Sequence, residues 1–154
     1  MKTTDADFPA ALEAAAQGWV GTPFRRLHAS KGIGVDCANS VYGCLSNSGL
    51  AMPDLGAPTF GKSADIDFQS VIGDFLASLV TSGTLVSVDD LAAPQVVAGD
   101  VLLYRINART QHVTMAIDAA RQLHTWPGRL TEIVAIDARW RNRLIAHYRL
   151  SENV

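Results

Sequence analysis

Cys37 follows Asp36 and opens the stretch DCANSVYGCLSNSG, where Cys37, Val41, Cys44 and Leu45 fall at i, i+4, i+7 and i+8. That spacing is the apolar stripe of an amphipathic helix. Asp36 reads as its N-cap and Gly49 as its C-terminal stop, which puts Cys37 in the first turn. A thiol there sits beside unpaired N–H groups and the positive end of the helix dipole, and both favour the thiolate. The same N–H groups suit a developing oxyanion, so the chemistry implied is nucleophilic attack on a carbonyl. Taken alone, the residue reads more readily as a small buried hydrophobe. Cys44, two turns deeper on the same side, reads as core. On one helix the two cysteines stand about 10 Å apart, beyond the roughly 7 Å that a disulfide spans.

A base must come from elsewhere, and four histidines are available: His28, His112, His124 and His147. His112 opens the strand HVTMAID, with Val113, Met115 and Ile117 facing one way and His112 and Thr114 the other. An imidazole at a strand start, off the apolar face, suits a general base. His124 lies in the next strand, RQLHTW. A three-residue hairpin loop, Asp118 to Ala120, sets Thr114 opposite His124 and His112 opposite Trp126. His124 then becomes a diagonal neighbour able to orient the His112 ring. An even loop would put the two rings on opposite faces. His28, in a loop, and His147, in the last strand, read as structural. Cys37, His112 and His124 are also a zinc-type ligand set, though no second ligand spacing supports that chemistry.

Positioning these groups takes helices first and strands afterwards. Phe8, Ala11, Leu12, Ala15 and Trp19 have helical spacing, with Asp5 or Asp7 as cap and Pro9 in the first turn. Gly21-Thr22-Pro23 ends that helix, and a polar, Gly-rich loop runs from Arg25 to Gly34. Residues 51–62 read as a loop, and Ser63 to about Thr81 as a buried helix. After Gly83 come TLVSV, DVLLYRI, HVTMAID, RQLHTW, LTEIVAID and LIAHYRL, all β-rich runs between turn residues. The order implies an α+β fold with an antiparallel sheet. With 154 residues the chain is expected to be one domain, 1–154.

Hydrophobic residues are 48% and charged residues 18%, which excludes a disordered chain. A net charge of −2 argues against a mainly electrostatic nucleic-acid binder. Ten of the thirteen basic residues are arginine, and Arg139, Arg141, Arg143 and Arg149 crowd the C-terminal stretch. They read as a solvated face, or as contacts to a carboxylate-rich substrate or protein partner. The start lacks the uninterrupted apolar run of a Sec signal, and no stretch approaches the roughly 18 apolar residues of a membrane span. Cytoplasmic synthesis is the expectation.

WVGTPFRRLHASKGIGVDCANSVYGCL resembles the N-terminal motif of NlpC/P60 cysteine peptidases, where Trp-x-Gly-Thr-Pro-Tyr precedes Gly-Val-Asp-Cys-Ser-Gly. AGDVLLYRI, QHVTMAID and LHTWPG resemble that family's Gly-Asp strand, its catalytic-histidine strand and the strand supplying its third polar residue. The lead-in Lys-Gly-x-Gly and the closing WRNRLIAHYRL resemble the phage and gene-transfer-agent branch of cell-wall peptidases. The resemblance implies a papain-like α+β fold and hydrolysis of amide bonds in peptidoglycan stem peptides, often between D-glutamate and a diamino acid, without metal or organic cofactor. It makes Cys37 the nucleophile, His112 the base and His124 its orienting partner, with Asp36, Phe24, Ala38 and Trp126 around the substrate. Phe24 replaces the family's tyrosine, and Ala38-Asn39 replaces Ser-Gly, which removes two of three groups that bind a free substrate amine. A phage tail, a secretion apparatus or an immunity protein is the partner class implied, with action in the periplasm or wall after delivery. A non-catalytic tail module, or an acyltransferase or deamidase on the same fold, are the competing readings.

Overall fold

Phe8, Leu12, Ala15, Ala16 and Trp19 form one buried stripe of the first helix, α1 (Phe8–Trp19), in the computed structural model, which describes residues 1–56, 68–92 and 94–154. Pro9 occupies its first turn, where a missing N–H costs nothing. Asp7 holds the N-cap position but makes no side-chain cap bond. The loop expected from Arg25 to Gly34 contains a small hairpin, β1 (Ala29–Ser30) with β2 (Gly34–Val35). Then comes α2 (Cys37–Asn47), started by Asp36 and closed at Ser48 and Gly49, the latter at φ +90°. The third helix, α3, runs Phe68–Thr81. Its expected start at Ser63, like the end of the loop read over 51–62, lies outside the described residues.

Six strands follow: β3 (Leu85–Ser87), β4 (Val101–Asn107), β5 (Thr110–Ala116), β6 (Arg121–His124), β7 (Glu132–Ala135) and β8 (Leu144–Leu150). A short helix, α4 (Ala138–Arg141), precedes β8. The strands make one antiparallel sheet in the order β3-β8-β4-β5-β6-β7, an α+β architecture. The last strand thus inserts between β3 and β4.

One face of the sheet carries the three long helices. Val113, Met115, Ile117 and Leu123 pack there against Leu12, Val41, Cys44, Leu45, Ile72 and Leu76. The other face is also apolar: Leu102, Tyr104, Ala116 and Ile136 pack with Trp140 of α4. A strand such as β5 is therefore buried on both sides, and its polar side chains must find partners inside the protein. Tyr104 Oη and Thr114 Oγ1 both donate to Gln122 Oε1, at 2.8 and 2.7 Å. Asp100 is fully buried and accepts from His147 Nε2 at 2.6 Å and from Arg149. Those donors outweigh the opposing effect of burial and leave its carboxyl below the usual range.

The contact between α1 and α2 is close. A Cβ on Gly43 would come within 2.4 Å of the Trp19 ring. Trp19 cannot yield easily, because it is buried and its Nε1 donates to Asn47 Oδ1. Gly43→Ala should therefore destabilise the protein by about 1–3 kcal/mol in urea unfolding, as overpacking does, with no loss of a hydrogen bond.

Candidate active site

The loop before α2 and the head of α2 are joined by one buried carboxylate. Asp36 Oδ1 accepts from the Asn39 backbone N–H at 2.8 Å. Its Oδ2 accepts from Asn39 Nδ2 at 3.0 Å and from the Leu27 N–H at 2.8 Å. Leu27 stands at φ +58°, a conformation a leucine adopts only when its surroundings impose it. Burial raises the Asp36 pKa, and the donors from Asn39 and Leu27 oppose that rise. Asp36 was expected beside the substrate. Both of its oxygens face N–H groups of its own chain, and it is buried.

Cys37 follows at the first helical position, buried against β5. The expectation that the helix start favours a thiolate is overturned by burial, which pushes the thiol up to about 12. The nearby Asp36 charge adds to this, and the N–H groups of Val113, Ala38 and Cys37 offset it only in part. His112 moves the other way. Burial, helped by His124, pushes its imidazole down to about 3. In the free protein the two groups are therefore a neutral thiol and a neutral imidazole at neutral pH.

The hairpin has the three-residue turn, closed by Ile117 N–H donating to Arg121 O at 2.8 Å. Met115 pairs with Leu123 and Ala116 with Gln122, so His112 and His124 share a face. Their rings meet: His112 Nε2 lies 3.1 Å from His124 Nδ1. His124 Nε2 in turn lies 3.0 Å from Glu132 Oε1, its cross-strand partner on β7. The carboxylate can only accept, which assigns the tautomers down the chain. His124 donates from Nε2, so its Nδ1 accepts. His112 then donates from Nε2, and its Nδ1 keeps a free lone pair, as a base requires.

Glu132 was not among the sequence candidates. Finding it needs the register across the 125–131 loop, which no local pattern supplies. Trp140 was also missed. It lies across both histidine rings, 5.8 and 5.5 Å between centroids, while Trp126 meets His112 edge-on at 5.0 Å. Phe24 pairs with Val35, and its N–H donates to Arg129 O, so it adjoins the loop that carries Trp126. Ala38 lines a groove of about 370 Å³ with Leu27, Asn39 and Tyr42 on one side and Val71 and Phe75 of α3 on the other.

His147 is engaged by Asp100, and His28 Nδ1 lies 2.8 Å from Arg26 O. Cys44 is buried with its thiol pushed up to about 12, chiefly by burial, and its Sγ donates to Leu12 O. Both cysteines are free thiols. Among the described residues no three His, Cys, Asp or Glu groups converge as metal ligands, and no helix is long and apolar enough to cross a membrane.

No family model matches the sequence, and no curated protein matches it. Solved structures are similar in fold, two of them as follows. One is a lipoprotein-like protein of the NLP/P60 family from Staphylococcus aureus, at TM-score 0.58 and 17% identity, covering 97% of this chain and 45% of that one. This chain thus spans less than half of that protein's length. The other is the NlpC/p60 domain of the peptidoglycan hydrolase SagA, at TM-score 0.55 and 22% identity, covering 92% of this chain and 98% of that one. The likeness establishes the papain-like α+β fold of NlpC/P60 domains.

The depressed His112 has a consequence for stability. Its folded pKa lies below the unfolded value of about 6.5, so the unfolded chain takes up the proton first as pH falls. Its contribution is complete above pH 6.5 and is lost as pH falls towards 3. Urea unfolding followed from pH 7 to 4 should show stability declining, with a shallower decline in His112→Gln.

Proposed function

We propose that this protein is a cysteine peptidase of the NlpC/P60 kind that hydrolyses amide bonds in peptidoglycan stem peptides. The observation that carries this reading is the chain Glu132–His124–His112, which leaves a lone pair on His112 Nδ1, on the strand against which Cys37 is buried. The sequence resemblance at Trp19 to Gly128 and the fold of the two similar structures support it.

Because both groups rest neutral, the attack is general-base catalysis rather than attack by a standing thiolate. His112 Nδ1 takes the S–H proton as sulfur bonds to the carbonyl carbon. The oxyanion forms at the head of α2, where the Cys37 N–H is a donor. Collapse breaks the C–N bond, and His112 returns the proton to the leaving amine. Water then attacks the thioester, His112 accepts its proton, and the thiol is reprotonated as the acid departs. His124 and Glu132 hold the ring and stabilise the imidazolium that exists between these steps.

The phage and gene-transfer-agent branch, the D-glutamate to diamino acid bond, and delivery to the wall by lysis, a tail or a secretion device rest on the resemblance alone. The substrate-facing roles of Phe24, Ala38 and Trp126 rest on it too, and the single domain, 1–154, on the length of the chain.

Cys37→Ala should abolish release of amine groups from purified peptidoglycan, whereas Cys44→Ala should keep it; equal loss from both would overturn the assignment. Glu132→Ala should lower kcat roughly 10- to 100-fold with little change in KM, because it frees the tautomer of His124 without touching substrate.

A further inference from the structure

At the far end of the β4–β5 hairpin, on the helix side of the sheet, lies a second concavity of about 320 Å³. It is lined by Arg105, Asn107 and Arg109, by Gln111 of β5, and by Gln69 and Ser70 of α3. Among the described residues its lining contains no acidic residue. Neither the Arg105 nor the Arg109 guanidinium makes an ion pair or side-chain hydrogen bond among the described residues. Several other arginines have acidic partners: Arg121 pairs with Glu13 and Asp118, Arg129 with Glu132, Arg139 with Asp137 and Arg149 with Asp100. Arg143 donates to Ile106 O.

The floor of this pocket is built. Gln69 Oε1 accepts from the Gln111 N–H at 2.6 Å, and Gln69 Nε2 donates back to Gln111 O at 3.4 Å, tying α3 to the strand. A register shift in β4 between Arg105 and Asn107 breaks the ladder at the rim, beside these guanidiniums. Gln111 immediately precedes His112. It lies two residues before Val113, whose N–H acts on the Cys37 sulfur. Two residues of strand span roughly 7 Å. Gln111 is thus about one residue pair along the strand from the Cys37 contact, and Arg105 is its cross-strand partner on β4.

We infer that Arg105 and Arg109 form an anion subsite that receives a substrate carboxylate on a residue flanking the scissile amide. The inference rests on the peptidase reading for the location of that amide. Two forked donors with no internal acceptor match a carboxylate, and a carboxamide at the same place forfeits the charge.

The test uses Cys37→Ala protein, so that ligand is bound and not consumed. Isothermal titration compares L-Ala-γ-D-Glu-L-Lys with the same tripeptide carrying its D-Glu α-carboxylate as the amide. The acid should bind roughly fivefold or more tightly, as suits an exposed charge contact, and adding Arg105→Gln and Arg109→Gln should erase the difference. Both arginines are exposed, so an unchanged Tm in the substituted protein checks that the fold persists. Equal affinities for acid and amide, a preference that survives the double substitution, or no binding by either peptide would each overturn the subsite. Displacement of the acid by equimolar inorganic phosphate would also overturn it, by showing a general oxyanion site. Failure of the wild-type protein to release amines from peptidoglycan is a separate result that sinks the peptidase reading, because the acid-to-amide ratio is read without turnover.

Discussion

The whole site rests on a carboxylate that water does not reach. Asp36 ends an extended segment, starts α2 and ties down Leu27, all through three N–H donors on two oxygens. Those bonds set where the first turn begins, and hence where the Cys37 sulfur lies against β5. A buried acceptor of this kind is retained only if every donor is in place, because an unpaired charge there would be costly. The cap therefore does more than begin a helix. It makes the loop, the helix and the strand a single rigid seat.

The same dryness governs the acid–base character of the site. A helix N-terminus and a neighbouring imidazole would, in a wetter setting, sustain a thiolate. Here burial dominates both partners and drives them to their uncharged forms. In the proposed mechanism, charge arises only as the reaction proceeds, when the developing oxyanion and imidazolium stabilise each other in a poorly solvated space. A sheet buried on both faces extends this condition beyond the site, and Tyr104 and Thr114 both donate to Gln122 Oε1 for the same reason.

Much of this architecture is legible in the residues. The 3.6-residue periods of α1 and α2 and the turn-bounded β runs are local signals, and each element lies where its pattern puts it. The register of β5 on β6 follows from a three-residue turn, so the meeting of His112 and His124 was open to arithmetic. What was not legible is long-range. The two-residue strands β1 and β2 are too short for any period, and the insertion of β8 between β3 and β4 is decided by packing. Glu132 depends on pairing across a long loop, and Trp140 reaches the histidines from a helix of four residues. The thiol's acidity depends on burial, which a capping argument does not contain.

Glu132 is half-exposed at the rim, whereas His112 is almost wholly enclosed. The hydrogen-bonded file between them therefore joins bulk water to the core along a route separate from the groove beside Ala38. His112, His124 and Glu132 are not in the groove's lining, so a ligand filling it leaves this connection open. Under the proposed mechanism, the His112 imidazole exchanges protons with solvent along this file, through His124 and Glu132.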